Sequence, residues 1–484
     1  MKLSKIFSAA LAAAMILVQA SAFSAYAASA EDDELSDGTF TYEIVDGGYA
    51  IVECDTTAII TDIPSMRNGY AIVEIADQAF LGCTYITELT IPSTVKTIGA
   101  YAFAGCTGLK TVSLPDTLTE IPDAAFDACT NLTEINIPEG VESIGMLAFA
   151  QCTSLESVTL PDSLVSIGDN AFDSCGALTE IDIPSNVTEI GEMAFINCYS
   201  LEKITADDNS AFVVEDNVLY DADKTELYRA AAHNIDTIFY VPDTVTTIKD
   251  GAFSYCTELT TVFVPSSVTL IGQEAFFFCT SLENIDLSEG LLEIDSSAFA
   301  HCTALTSIEF PTTLLSIGEG AFFDAAALEK VIFSDGITDI ADGAFAVCDS
   351  LTNVIVPSSV ESIGDYAFGY TLNDDQTDYT QMTNFSMSVK SGSAALKYAK
   401  NNDLDYTVSD RSLKRLAFII VCVGLILAAA VFATVLMRRG RKLAPADVRK
   451  AEALEDEEND PSYEGIVADK RDEQNTNDES DEEK

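Results

Sequence analysis

The sequence predicts a mainly β repeat solenoid of about thirteen 23-residue coils, followed by one transmembrane helix. Three observations carry that reading. An Ala-Phe pair followed three residues later by Cys returns every 23 residues, from Ala79-Phe80/Cys83 through Ala148-Phe149/Cys152 to Ala194-Phe195/Cys198. It resumes at Ala252-Phe253/Cys256 and runs to Ala367-Phe368, with Ala325 standing once where cysteine is due. The hydrophobic share is 48% despite a formal charge of -53, which marks a filled core under an acidic coat, since disordered acidic chains lack apolar residues. Residues 416–437 carry no charge over 22 positions, enough to cross roughly 30 Å of hydrocarbon at about 1.5 Å per residue.

In chain order, residues 1–27 read as a signal peptide. Lys2 and Lys5 precede an apolar run from Ile6 to Val18, and Ala25-Tyr26-Ala27 supplies the small residues of a cleavage site. Residues 28–78 form an N-terminal cap and a degenerate first coil opened by Cys54, and 79–206 the first repeat block. Between Cys198 and Cys256 the period is broken. Phe212-Val213-Val214, Val218-Leu219-Tyr220 and Glu226-Leu227-Tyr228 are β-like runs split by turn residues, read as an inserted β-hairpin over 207–235. The second block covers 236–370, a C-terminal cap 371–408 and a linker 409–415. Beyond the span at 416–437, Arg438, Arg439, Arg441 and Lys442 place the C-terminus in the cytoplasm and the N-terminal part outside. The tail at 438–484 is acidic and reads as disordered.

One coil, written from Cys302, explains why the units stack. Leu305, Ile308 and Phe310 point inward, the last two alternating as a strand requires, and Pro311 ends the ladder for want of an N–H. Leu314 and Ile317 close the far side, and Gly318 is expected to permit the bend before Ala321-Phe322. About seven buried side chains per coil contribute roughly 10 to 20 kcal/mol, less than the cost of ordering 23 backbones at about 1 to 2 kcal/mol each. A single coil therefore cannot fold alone.

The line Cys-Thr-x-Leu-x-x-Ile-x-Ile-Pro-x-x-Val-x-x-Ile-Gly-x-x-Ala-Phe, read over 129–149 or 175–195, resembles the BspA-like leucine-rich-repeat family of bacterial surface proteins. The opening Phe40-Thr41-Tyr42-Glu43-Ile44 with its Gly47-Gly48 turn fits that family. So does the closing segment from Gly392 to Lys400, which looks like a short capping helix. The resemblance spans about residues 40 to 408. It implies a curved, right-handed leucine-rich-repeat superhelix used for protein binding or adhesion, with no catalytic residues and no particular ligand.

The residues themselves offer little chemistry. The cysteines in the repeat phase read as a ladder of buried thiols, although rungs about 4.8 Å apart lie within disulfide reach. Their spacing is not that of zinc ligands. Only His233 and His301 exist, without partners that would make an acid/base pair. Asp207-Asp208 and Asp221-x-Asp223 lack the spacing of an EF-hand loop. No catalytic residue, metal site or cofactor is therefore expected. Residues 28–410 hold 62 acids against 11 bases, which makes nucleic acid and anionic lipid poor partners for this part, and no nucleic-acid partner is expected. A polysaccharide-cleaving enzyme would need Arg or Lys beside clustered acids, and this region has only Arg67 and Arg229 as arginines.

What remains is a surface. The outward strand position runs Thr90, Ser113, Asn136, Thr159, Asp182 and Thr205 in the first block, then Tyr240, Phe263, Asp286, Glu309, Ile332 and Ile355 in the second. Phe277, Phe278 and Phe323 follow the Ala-Phe corner of the same coils. The candidate ligand-binding residues are thus Tyr240, Phe263, Phe277, Phe278, Phe323, Ile332 and Ile355, unless these side chains merely cover one another or the insertion. The expected function is that of a non-enzymatic, membrane-anchored extracellular protein that binds or adheres to a protein or glycan outside the cell or in its wall. A transmembrane sensor acting through the tail, or an extracytoplasmic glycan-active enzyme, are the alternatives.

Overall fold

The computed structural model describes residues 35–409, apart from 374 and 376. The expected signal peptide, membrane span and acidic tail lie outside the described residues. Among the described residues no helix is long and apolar enough to cross a membrane. What they form is a mainly β solenoid of about 16 turns.

Each regular turn lays down two short strands, such as Ser157–Thr159 and Ser166–Ile167, on two faces of the coil. They pair in parallel with the turn before, one period away: Val158 opposite Ile135, Ile167 opposite Ile144. The middle residue of the three-residue strand points in and its neighbours point out, so Ile135, Ile181 and Ile308 are buried while the flanking positions are exposed. We call these two surfaces the strand face and the return face. The turns exceed the thirteen expected because both ends add rungs that lack the Ala-Phe mark. At the N-terminus Gly48–Cys54 and Tyr70–Ile75 run parallel into Thr97–Ile98. At the C-terminus Ser386–Val389 and Asp405–Val408 extend the strand face beyond Asn353–Ile355.

The third side of each coil is the Ala-Phe corner. Its phenylalanines are fully buried and stack face on face in two columns, Phe103 to Phe195 at 5.2–5.6 Å between centroids and Phe253 to Phe368 at 4.9–5.1 Å. The cysteines line up behind them. Cys129 Sγ donates to the Phe103 carbonyl at 3.2 Å, Cys152 to that of Phe126 at 3.3 Å, and Cys302 to that of Phe276 at 3.2 Å. The same contact recurs wherever an intact turn precedes the thiol. All eleven cysteines of the described residues are free and buried. No disulfide joins the rungs; the thiols of Cys106, Cys129, Cys152, Cys175, Cys198, Cys279, Cys302 and Cys348 are directed at a carbonyl of the turn before.

Gly318 has a different task from the one its sequence position suggests. Its backbone is not left-handed; instead a Cβ there would stand 2.5 Å from the backbone of Asp295 and Ser296 in the turn before. Close approach of two chains, not a special bend, demands glycine at this phase. The left-handed residues are elsewhere, two per turn around the buried phenylalanine: Leu147 and Gln151 around Phe149, Ser297 and His301 around Phe299. Each non-glycine residue held there costs on the order of 1 kcal/mol, which the stacked corner over-determines.

The insertion makes three strands where one hairpin was expected. Phe212–Glu215 pairs with Val218–Asp221 across Asp216-Asn217, both at positive φ, and Val218–Asp221 pairs in turn with Glu226–Ala230. The last strand then runs parallel to Thr247–Ile248 and starts the return-face ladder of the second block. The middle strand is buried on both sides, and that makes it a septum. Leu219 belongs to the hydrophobic core of the first block, while Val218 and Tyr220 belong to that of the second. The far end is closed by the helix Ala394–Asn401, whose N-cap Ser393 accepts from the Leu396 N–H.

Candidate binding surface

The outward column of the strand face lies as the repeat phase requires. In the first block it is polar, and Thr90, Ser113, Asn136, Thr159 and Asp182 are exposed. In the second, Tyr240 opposes Phe263, which opposes Asp286, and Ile332 opposes Ile355. The Tyr240 and Phe263 rings stack at 4.7 Å with 6° between their planes. Stacking hides only one side of the pair: Tyr240 remains 67% exposed, and Ile355 65%. Parallel pairing of three-residue strands puts equivalent side chains directly above one another, so two neighbouring aromatics at this phase must form a flat ledge. The ledge borders a shallow groove of about 400 Å³, walled by Pro242 and Pro265 and flanked by Asp243 and Asp286.

Phe277, Phe278 and Phe323 do not share that face. They sit on the Ala-Phe corner, in one half-buried cluster with two residues that sequence reasoning left out of the site, Tyr255 and His301. Tyr255 stacks on Phe278 at 5.1 Å, Phe278 on His301 at 4.2 Å, and Phe277 and Phe323 meet His301 edge-on at 5.4 and 5.5 Å. His301 Nδ1 lies 2.9 Å from Asp324 Oδ2. Tyr255, Phe278, His301 and Asp324 all occupy the left-handed position just before the cysteine or its Ala325 stand-in. That phase, small or polar in the first block at Gly82, Gly105, Ala128, Gln151, Ser174 and Asn197, was the signal that would have found them. The seven candidate residues therefore divide between two surfaces of the second block, four on the strand face and three on the corner.

Electrostatics separate the coat from the core. Burial pushes the Asp127 carboxyl up to about 6, aided by the nearby Asp173, whose own carboxyl is raised by burial despite bonds from Asn197 and Ser174. These acids stand on the first-block corner at the phase that Phe277 and Phe323 fill in the second. The Asp221 carboxylate accepts from the Thr225 and Glu226 N–H groups and from the Thr225 hydroxyl, and so holds its own turn. Among the described residues no group of His, Cys, Asp and Glu is arranged to hold a metal ion.

No curated protein matches the chain. Among solved structures it is similar to a leucine-rich cell surface protein of Faecalibacterium prausnitzii, at 32% identity and a TM-score of 0.60, over 70% of this chain and 95% of that one. The pneumococcal vaccine antigen PcpA shares the fold at 22% identity and a TM-score of 0.57, over 77% of this chain and 96% of that one. The model of the BspA type leucine-rich repeat region matches residues 73–202, 119–227 and 231–346, which together exceed half of the sequence. The period, the buried Ala-Phe corner and these matches agree: the chain belongs to the BspA-type leucine-rich-repeat family.

Proposed function

We propose that this protein is a non-enzymatic, membrane-anchored adhesion or receptor protein of the cell surface that binds a protein partner on the strand face of its second block. The Tyr240–Phe263 ledge carries the proposal. It is flat and apolar, with Tyr240 exposed and Phe263 half-buried, and it lies beside a groove in the part of the face that Asp243 and Asp286 make acidic. Aromatic ledges of this kind act as binding anchors, and Asp243 and Asp286 at its edge favour a partner that offers a Lys or Arg side chain. The net charge of the array steers such a basic partner toward it.

Anchoring is proposed through the uncharged stretch at 416–437. Expressed with its signal peptide, a chain truncated after Ser409 should be released to the medium, whereas the full chain should remain with the membrane fraction. Retention of the truncated chain on the membrane would place the anchor elsewhere. For binding, the full chain bearing Tyr240→Ser and Phe263→Ser should capture at least about tenfold less of the partner that the unaltered chain recovers. Its circular dichroism spectrum should not change, because neither ring belongs to the buried core. Undiminished capture by the double variant would move the site off this ledge.

A further inference from the structure

Two thiols at the N-terminal end depart from the rule of the ladder. In eight rungs the sulfur donates to a phenylalanine carbonyl 26 residues back, at 3.1–3.3 Å. Twenty-six residues before Cys83 stands Thr57, in a turn that has no Ala-Phe corner, so Cys83 lacks that partner. Its sulfur lies instead 3.9 Å from the Cys54 carbonyl and 4.0 Å from that of Asp55, while the Cys54 sulfur lies 3.6 Å from the same Asp55 carbonyl. The two thiols converge on one backbone oxygen and meet each other side chain to side chain. Their carbonyl contacts are long for so weak a donor.

The backbone holds the pair in place. The Cys54 N–H donates to the Ala79 carbonyl at 2.7 Å, which fixes the end of the Gly48–Cys54 strand to the corner that Cys83 closes. Both side chains are buried, and both are free thiols in the structure. Metal binding does not account for them, because among the described residues no third His, Cys, Asp or Glu joins the pair.

We propose that Cys54 and Cys83 are a disulfide site, oxidised as the N-terminal cap closes and tying that cap to the first Ala-Phe coil. The oxidant is itself a disulfide, such as oxidised glutathione, and an exported chain meets one outside the reducing cytosol. One cysteine thiolate attacks it and expels a first thiolate; the second cysteine attacks the mixed disulfide, forms the Cys54–Cys83 bond and expels the other. The two cysteine protons pass to the two released thiols, and the oxidant gains the two electrons that the protein loses. Contact with Cys83 and burial push the Cys54 thiol up, so it is a poor nucleophile once covered and the exchange precedes closure. The bond closes a loop that contains the strands Met66–Arg67 and Tyr70–Ile75, and so staples the outermost coil.

The test unfolds the full chain in urea with reductant, refolds it in detergent with reduced and oxidised glutathione until its circular dichroism returns, and blocks free thiols with N-ethylmaleimide. Trypsin has one site between the two cysteines, at Arg67, and its next at Lys96. Mass spectrometry should find the fragment ending at Arg67 joined to 68–96, and reductant should separate them. N-ethylmaleimide on both Cys54 and Cys83, or either one bridged to another rung, would overturn the site. Reductant should also lower the melting temperature of the refolded chain by a few degrees and leave that of the Cys54→Ala variant unmoved. A drop of the same size in the variant would assign the redox response to other thiols and refute the proposal.

Discussion

Between about pH 9 and pH 11 the solenoid should lose its circular dichroism signal under reducing conditions, and replacing several rung cysteines by alanine should move that transition to higher pH. Burial pushes up the thiols of Cys106, Cys129, Cys152, Cys175, Cys279, Cys302 and Cys348. It raises Cys198 and Cys256 to about 12 even with the Arg229 cation beside them. In the unfolded chain a thiol titrates near 8.5. Below that value both states keep the proton. Above it the unfolded chain releases protons that the folded chain retains, so stability falls as pH rises until the folded thiols titrate as well. Each thiol contributes a loss of about 1.4 kcal/mol per pH unit in that window. Nine such thiols remove on the order of 10 kcal/mol within one unit, comparable to the 5–15 kcal/mol that holds a typical domain together. Ala325 occupies one rung with full burial, so alanine fits the site. A triple variant with Cys129→Ala, Cys152→Ala and Cys175→Ala should therefore fold at pH 7 and outlast the parent in alkali. An unchanged alkaline midpoint would mean that the thiols are not its cause.

Phe149→Asp should unfold at least the first block, while removal of the whole unit 138–160 should leave a folded, shorter array. Phe149 is fully buried between Phe126 at 5.5 Å and Phe172 at 5.3 Å, almost parallel to both. Emptying such a site costs about 3 to 5 kcal/mol, and a carboxylate put in its place must also be buried or protonated. Deletion of one full period joins Ile137 to Pro161, which takes the place of Pro138 at the same phase, so Phe172 can stack on Phe126 and Cys175 can donate to the Phe126 carbonyl. Turns touch only their neighbours, so one fewer is a modest loss. Urea unfolding followed by circular dichroism compares the two. Equal destabilisation by both changes would show that the array is more cooperative than nearest-neighbour stacking allows.

The Ala-Phe/Cys beat exposes most of the architecture to a reader of the sequence, because stacking in register demands the same residue at the same phase. Phase also tells which strand positions face outward, and Tyr240, Phe263 and Ile355 are where it puts them. Three features escape this logic. The terminal turns lack the beat, since an end coil has a neighbour on one side only. Gly318 is explained by the approach of another turn's backbone, a contact that no local pattern encodes. Tyr255 and His301 of the corner cluster hide in the position before cysteine, whose left-handed backbone turns the side chain outward while Ser254, Cys256, Ala300 and Cys302 beside them are buried. In the sequence Arg229 is simply one of two arginines in the region. Its burial follows from the fold, which lays the Glu226–Ala230 strand between the septum and the first return strand of the second block.

The hydrogen bonds between turns run along the solenoid, and among the described residues the last rung, Asp405–Val408, is paired on one side only, to Ser386–Val389. Tension applied at Ser409 is therefore delivered first to that last rung, and the turns behind it are shielded until it lets go. A 23-residue turn that peels away exchanges a rise of about 5 Å for up to about 75 Å of extended chain. Under load the array would lengthen in discrete steps from its C-terminal end, giving up outer turns while the ledge at Tyr240, several turns further in, kept its shape.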